Sequence, residues 1–485
     1  MNGPRNTAEV TPAGRIHRTG SWQATHGVRV THTEDRLELK AELPAGSPVY
    51  YRLDHGKLTW SGSLDCFSAG RRATPSPGQL LAIVHGIAPA PDATTVPAVH
   101  KLAVGDVIRV DQAGVTVTEH RPELPATGGD VLGAVAAALD ELGEGYGIAY
   151  SGGVSSAFVA IAALKAKHRP VLLHADLGPA FTRLPVPEVP GLSVRKVRMD
   201  LAELLARPPL TGTEPPVPDL EVNRRMIARL AAESGTTVVA GALLEDLLSS
   251  RLADVDRDKG GHRLLQCEPF HIAGTLPDKA AAEELLALGS VHEPEDTDVS
   301  GTPPSPMPVG SSRLPGLTVP AEEQYQLVLQ GNLALWQARL ESLDPVLGRA
   351  ATGLAERGDG GAMLPALDVR VLAAANAVPK SSLGEIRHGM FRTHVPLRKA
   401  LDRSGVRNPR RVSPGYWLRL AAAGYLHANR AKLITRLDRD SPLADLGLID
   451  ARRVAEVLGD GLELTEHALR LLRLTWVDHW LRGSA

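Results

Sequence analysis

Between residues 129 and 250, apolar strand patterns and helical patterns alternate, and this constrains the fold more than any other feature. Asp130–Glu144 places Val131, Leu132, Val135, Leu139 and Leu142 at helical spacing. Tyr146–Tyr150 reads as a short buried strand, and Val154–His168 as a helix with Phe158, Ile161 and Leu164 at helical spacing. Pro170–Ala175 and Leu192–Val197 read as further strands. Glu221–Ser234 reads as a helix, and Thr237–Gly241 as a buried strand ending in glycine. Such alternation predicts a parallel sheet with helices on both faces. In such sheets a ligand lies outside the carboxyl ends of the strands. The turn after Tyr150, the stretch after Ala175 and the stretch after Gly241 are then expected to converge there. The first of these is Ser151-Gly152-Gly153. Small residues let the backbone approach a ligand, and amides at a helix N-terminus suit a phosphate or pyrophosphate.

The chain's 485 residues predict two or three domains, and 43% hydrophobic residues can bury a sizeable core. A formal net charge of −2 gives no basic excess, so a nucleic-acid partner is not expected. The local run Arg407–Arg411 reads as solvated surface. The two cysteines, Cys66 and Cys267, exclude a disulfide framework or a Cys-rich zinc site. No apolar segment approaches the ~18–20 residues of a membrane helix, and the N-terminus lacks an apolar signal region. The expected setting is cytoplasmic, without a membrane partner and with free thiols.

Residues 1–25 are polar and patternless and read as a flexible arm. Residues 26–128 read as a compact, mostly β domain. Val28 and Val30 alternate, as do Leu37, Leu39 and Ala41. Val49–Leu53 and Lys57–Trp60 flank a hairpin turn, Asp54-His55-Gly56. Val107–Val110 and Val115–Thr118 form a second such pair. Residues 254–320 are irregular and rich in Pro, Gly and Ser, and read as a mobile loop or linker. From Ala321 the pattern is helical to the end. A last helix over Thr465–Leu481 stacks Leu469, Leu472, Trp476 and Trp480 on one face, as core packing does. The histidines, among them His168, His174, His388 and His394, show no metal-ligand spacing.

Ser151–Ser156 resembles the pyrophosphate loop S-G-G-x-D-S of the ATP pyrophosphatase superfamily, with Ser155 where that pattern has aspartate. Three C-terminal stretches resemble segments of the class B asparagine synthetases, a group that includes β-lactam synthetases and lasso-peptide cyclases. They are Met363–Val371, Pro396–Leu401 and Asn408–Ser413. The resemblance implies an α/β fold. A doubly wound parallel-sheet synthetase domain with a helical C-terminal part would span 129–485. A small degenerate β domain of the N-terminal-nucleophile type would precede it. It also implies ATP and Mg²⁺ as cofactors, with Ser151, Gly152, Gly153, Ser155, Ser156 and His174 on the ATP side. Glu245 and Asp246 stand where the family carries its Asp-Glu metal pair, in a turn stripped of the family's glycines. The catalytic lysine falls on Ser413, so Arg398, Lys399 and Arg411 (or the adjacent Arg410) are the cations expected to replace it.

A family glutaminase exposes a cysteine at position 2, where this chain has Asn2, and Cys66 is internal and cannot offer an α-amino group as base. No glutamine hydrolysis is expected. The implied activity is an AMP-forming amide ligase using the substrate's own amine, with lasso-peptide macrolactam formation as the favoured case. Its partners would be a peptide or small-molecule carboxylate and a leader-peptide-processing protein. The competing reading is a non-catalytic homologue that binds a substrate or a partner. It draws on Ser155, the altered Glu245 turn and Ser413 together. An ATP-dependent nucleic-acid thiolase is opposed by the charge balance and the shortage of cysteines.

Overall fold

The computed structural model describes residues 6–10, 16–19, 28–41, 49–67, 77–86, 92–94, 96, 98–103, 105–119, 124–178, 186–206, 215–248, 314–342, 346–348, 350, 361–387, 390–406 and 414–482. The expected mobile loop at 254–320 falls mostly outside them, as do Cys267, Arg410, Arg411 and Ser413.

The N-terminal strands are β1 (Asn6–Val10), β2 (Ile16–Thr19), β3 (Val28–His32), β4 (Leu37–Ala41), β5 (Tyr50–Asp54), β6 (Lys57–Ser61), β7 (His100–Lys101), β8 (Asp106–Asp111) and β9 (Gly114–Glu119). They form two antiparallel sheets, in the orders β2-β1-β6-β5-β7 and β3-β4-β8-β9. Ala8, Tyr51, Leu58 and Trp60 of the first sheet share one core with Leu37, Leu39, Ile108 and Val110 of the second. Alternation along each strand sends these side chains inward, so the two sheets pack face to face. Asp54 pairs with Lys57 across a two-residue turn, His55-Gly56, in which both residues have positive φ (46° and 77°). That geometry matches the right-handed twist of the flanking strands.

Two parts of this region differ from the sequence reading. Within the expected arm, β1 pairs with β6 in the register Ala8 to Leu58, and β2 pairs with β1. Backbone pairing does not depend on side-chain polarity, and Ala8 of β1 enters the core with Ile16 of β2 packed against it. A helix, Pro77–His85, also lies between β6 and β7, where no element was anticipated.

The second region is built on β10 (Tyr146–Ala149), β11 (Val171–Asp176), β12 (Val194–Arg198) and β13 (Thr237–Ala240). These are all parallel, in the order β12-β11-β10-β13. The chain steps outward from β10 to β11 and β12, then returns to place β13 on the other side of β10. Met363 adds one further parallel position beyond β13. Its N–H donates to Val238 O, and its O accepts from Ala240 N–H, both at 2.9 Å.

Alternate residues of these strands enter two different cores. Ile148, Leu172 and Val239 pack with helices Val131–Leu142, Val154–Lys165, Val369–Asn376 and Val395–Arg403. Leu173, Val197 and Val238 pack with Pro218–Ser234, Pro414–Asp440 and Ala468–Arg482. The sheet is therefore covered on both faces, and this explains why the apolar residues of β10, β11 and β13 run consecutively, whereas the edge strand β12 alternates with exposed Arg and Lys. Leu80, Leu81 and Val84 of the Pro77–His85 helix belong to the second core, so the β-sandwich region sends a helix into its neighbour. A short antiparallel pair, β14 (Gly384–Arg387) and β15 (Met390–Thr393), precedes Val395–Arg403.

The expected last helix is broken at His467 into Gly461–Glu466 and Ala468–Arg482. Trp476 and Trp480 are buried, as their stripe predicted. Among the described residues, no helix is long and apolar enough to cross a membrane. The chain is thus a mixed α/β protein with an antiparallel sandwich, a parallel sheet and a helical C-terminal part.

Candidate functional site

The strand order reverses between β10 and β13, and the turns that follow these two strands lie side by side at the carboxyl edge. Tyr150 closes β10 and is fixed on three sides. Its N–H donates to Leu173 O, its hydroxyl donates to Pro187 O, and its carbonyl accepts from His174 Nδ1, all at 2.8 Å. His174 is buried in β11 and holds the base of the turn.

The next residues form a small closed circuit. Gly153 N–H donates to Ser151 Oγ at 3.2 Å. Ser151 and Ser156 share a hydroxyl contact at 3.1 Å, and Ser156 Oγ donates to Gly153 O at 3.1 Å. With one proton per hydroxyl, the chain runs Gly153 N–H, Ser151, Ser156, Gly153 O. Gly152 takes the left-handed φ of 79° that this circuit needs, whereas Gly153 is ordinary extended backbone at −76°. Gly153 caps the Val154–Lys165 helix without any side-chain cap. The N–H groups of that helix's first turn have no intrahelical acceptor, and the helix carries partial positive charge at this end.

The turn after β13 rests directly on this helix. A Cβ at Gly241 would stand 2.6 Å from Ser155 O and 3.0 Å from Ser156 N, so only glycine fits. Leu243 follows with a left-handed φ of 72°, where the glycines of the resembling turn would be at ease. Its side chain, with those of Leu244, Leu247 and Leu248, is buried in the first core and holds the strained turn in place. Glu245 and Asp246 are half-buried in the one-turn helix Leu244–Leu247.

The third contribution arrives from far along the chain. Leu397 and Leu401 bury one face of Val395–Arg403 in the core that also holds Phe158 and Ile161. Arg398 is half-buried and donates from Nε to Thr393 O at 3.2 Å, and Lys399 is exposed. His394 begins this helix without a side-chain cap bond, and the Glu245 backbone beside its ring favours the protonated form. Burial, and then the Arg398 charge beside it, hold the His394 pKa down to about 4, so the ring is neutral at pH 7. The expected Met363–Val371 segment lies beside β13. Its Asp368 caps Val369–Asn376 and pairs with Arg370.

The structure therefore sets Ser151–Ser156, His174 and the Glu245–Asp246 turn at one edge, while the Arg398 helix packs on Val154–Lys165. Arg411 lies outside the described residues. His394 was one of several unassigned histidines in the sequence. Its one local signal was Pro396, which marks a helix start and says nothing of Glu245. Cys66 sits within the turn Leu64–Phe67, where Ser61 Oγ donates to its Sγ at 3.2 Å.

Chemically, this edge offers a helix N-terminus without a side-chain cap for an anion and two sequence-adjacent carboxylates for a cation. Among the described residues, no group of three or more His, Cys, Asp or Glu side chains could enclose a metal ion. Two carboxylates still fit Mg²⁺, which keeps several waters and takes phosphate oxygens as ligands. The chain matches no family model, and no curated protein shows significant similarity to it.

Proposed function

We propose that the chain is an ATP-dependent, AMP-forming amide ligase of the asparagine-synthetase type, using an amine carried by the substrate itself. One observation carries this reading. The Ser151–Ser156 turn and the Gly241–Asp246 turn follow neighbouring parallel strands at the point where strand order reverses, in contact through Gly241 and Ser155. Ligands of open parallel sheets bind at such a point. The first-turn amides of Val154–Lys165 would receive phosphate oxygens, and Glu245 and Asp246 would hold Mg²⁺ against them. The ion would supply charge neutralisation on the phosphates. Arg398 would stabilise charge developing as a substrate carboxylate is adenylated and pyrophosphate leaves. Attack by the substrate's amine then forms the amide and releases AMP.

Cys66 lies inside a turn and has no α-amino group to act as its base, which supports a ligase without glutaminase chemistry. A substrate that brings both carboxylate and amine forms its amide internally, and peptide macrolactam formation of the lasso type is the proposed case. A cytoplasmic setting accords with this reading.

A second reading, a non-catalytic homologue, draws support from the closed Ser151–Ser156–Gly153 circuit, which already occupies one amide and the Ser151 and Ser156 hydroxyls of the turn. The test is a titration of wild type, Ser155→Asp and Glu245→Ala with ATP·Mg²⁺, together with pyrophosphate release on a candidate precursor peptide. The ligase reading expects wild type to bind and turn over. It expects Ser155→Asp to keep or improve binding, and Glu245→Ala to weaken it. No wild-type binding and no pyrophosphate with any peptide would sink the ligase and favour the non-catalytic protein.

A further inference from the structure

β12 ends the parallel sheet, with β11 on its inner side. The register decides which of its backbone groups are used. Leu172 N–H donates to Ser193 O at 3.0 Å, and Met199 N–H donates to Asp176 O at 2.9 Å. In a parallel ladder, alternate residues turn both backbone groups to the same side. Ser193, Arg195, Val197 and Met199 therefore face β11, whereas Val194, Lys196 and Arg198 turn N–H and C=O outward. Among the described residues, no strand pairs with that outer side and no backbone bond reaches it.

The side chains add a charge pattern. Val197 and Met199 enter one core and Val194 packs on the other, so alternation puts Arg195 on the first face and Lys196 and Arg198 on the second. All three cations are exposed, and among the described residues their side chains form no hydrogen bond or ion pair. The neighbouring acids hold backbone amides instead. Asp176, opposite Arg198 in the ladder, accepts from Gly178 N–H, and Asp200 accepts from Ala202 and Glu203 N–H. Arg169 stands just before the same strand and donates to Gly191 O at 3.1 Å. Cations on an outer strand repel a second basic edge and so guard against pairing between copies of the chain. The same cations attract an acidic strand. Lys196 and Arg198, two residues apart on one face, match acids two residues apart.

We propose that the outer edge of β12 docks an extended, acidic segment of the peptide substrate, which adds a strand to the sheet. Main-chain bonds to Val194, Lys196 and Arg198 hold the segment, and the cations select its charge. The carboxyl end of β12 lies at the same edge as the Ser151 turn. Three strand spacings separate the added strand from β10, about 15 Å, which about four or five extended residues cross. Docking thus leaves the reacting part of the peptide a short reach from the candidate site. Assigning the segment to the substrate rests on the ligase reading above, whereas docking itself does not.

The test uses full-length protein and a labelled short peptide alternating Glu with Val, followed by fluorescence anisotropy. Joint Lys196→Glu and Arg198→Glu substitution reverses the charge of one face and should weaken binding about tenfold or more. Lys196→Pro removes an outward N–H that β11 does not use, a change tolerated on edge strands, and should weaken binding about fivefold. Of two peptides N-methylated at odd or at even residues, one should lose binding and the other keep it, because a single side of the added strand meets β12. No binding of the acidic peptide to wild type overturns the proposal. So does binding that charge reversal abolishes while Lys196→Pro and both methylated peptides leave it intact, which is attraction to a basic surface without strand addition. If Lys196→Pro does not fold, the methylated pair decides. Pyrophosphate release with ATP·Mg²⁺ is then measured on candidate peptides with and without an acidic segment. The charge-reversed protein should show a raised KM for the acidic peptide and unchanged nucleotide binding. Turnover indifferent to the acidic segment and to charge reversal overturns its assignment to the substrate. A wild type that binds the acidic peptide but no nucleotide ends the ligase reading and leaves the docking edge standing.

Discussion

The two sheets of this protein solve the same burial problem in opposite ways. In the N-terminal sandwich the strands send alternate residues into one shared core, and their partners are mostly near in sequence. β3 pairs with β4, β5 with β6, and β8 with β9. In the parallel sheet β10, β11 and β13 bury both faces, and β10 pairs with β13 some ninety residues later. The glycines mark the difference. Gly56 sits at a sandwich turn with φ 77° and open space around it, so it is required for its backbone angle. Gly241 sits at the parallel-sheet edge with Ser155 O and Ser156 N against it, so it is required for its lack of volume. Sandwich turns end at solvent, whereas turns at the parallel edge pack on each other, and there a site can form.

The strongest challenge to treating the regions separately is the Pro77–His85 helix. Leu81 is 2% exposed and lies in the core that also holds Trp476 and Val238. Leu81→Ala should cost about 2–5 kcal/mol, the range for a large-to-small change in a packed core. Thermal unfolding followed by sheet and helix signals should shift as one transition. Two separate transitions, with only the sandwich signal displaced, would break the idea that this helix couples the regions.

The glycine contrast is sharpened by a matched pair. Gly241→Ala should cost about 1–3 kcal/mol through overpacking against backbone that cannot swing aside. It should also weaken ATP·Mg²⁺ binding by displacing the acidic turn. Gly56→Ala should cost about 1 kcal/mol, the left-handed penalty alone, and leave nucleotide binding unchanged. Equal effects of both variants on binding would remove the distinction between conformational and spatial glycine.

The smallest effect is read per pH unit, at the join between the regions. His85 stacks on Tyr325 with ring centroids 4.0 Å apart, and its buried Nε2 has no hydrogen-bond partner among the described residues. Burial, then the charges of Arg470 and Arg473, lower its pKa from 6.5 to about 3. Between those values the unfolded chain binds a proton that the folded protein refuses. This contribution to stability is therefore full above about pH 6.5 and declines as pH falls towards 3, by at most about 1.4 kcal/mol per unit. His394 and His467 are also lowered and act in the same direction. His85→Phe keeps a ring on Tyr325, and should flatten the acid limb of stability against pH by about one proton. An unaltered limb would show that His85 does not remain neutral at this join.

Much of the architecture was legible in the sequence. Apolar periodicity marked the four parallel strands, the helices between them and the His55-Gly56 hairpin, because each depends on neighbours within a few residues. β1 and β2 were not legible, since polar strands can be held in a sheet by backbone bonds that leave no apolar pattern. The Pro77–His85 helix was missed, and its importance comes from a core built mostly by residues far downstream. At the candidate site, the Ser-Gly-Gly turn and the Glu245-Asp246 pair stood out locally. The sequence by itself determined that a small turn would join an apolar strand to an apolar helix, because local pattern and glycine content dictate it. Only the tertiary structure decided that Gly241 would press on Ser155 and that the Val395–Arg403 helix would pack on Val154–Lys165. Those contacts depend on strand order and on burial of Leu397 and Leu401, and both are set by the packing of the whole chain rather than by neighbouring residues.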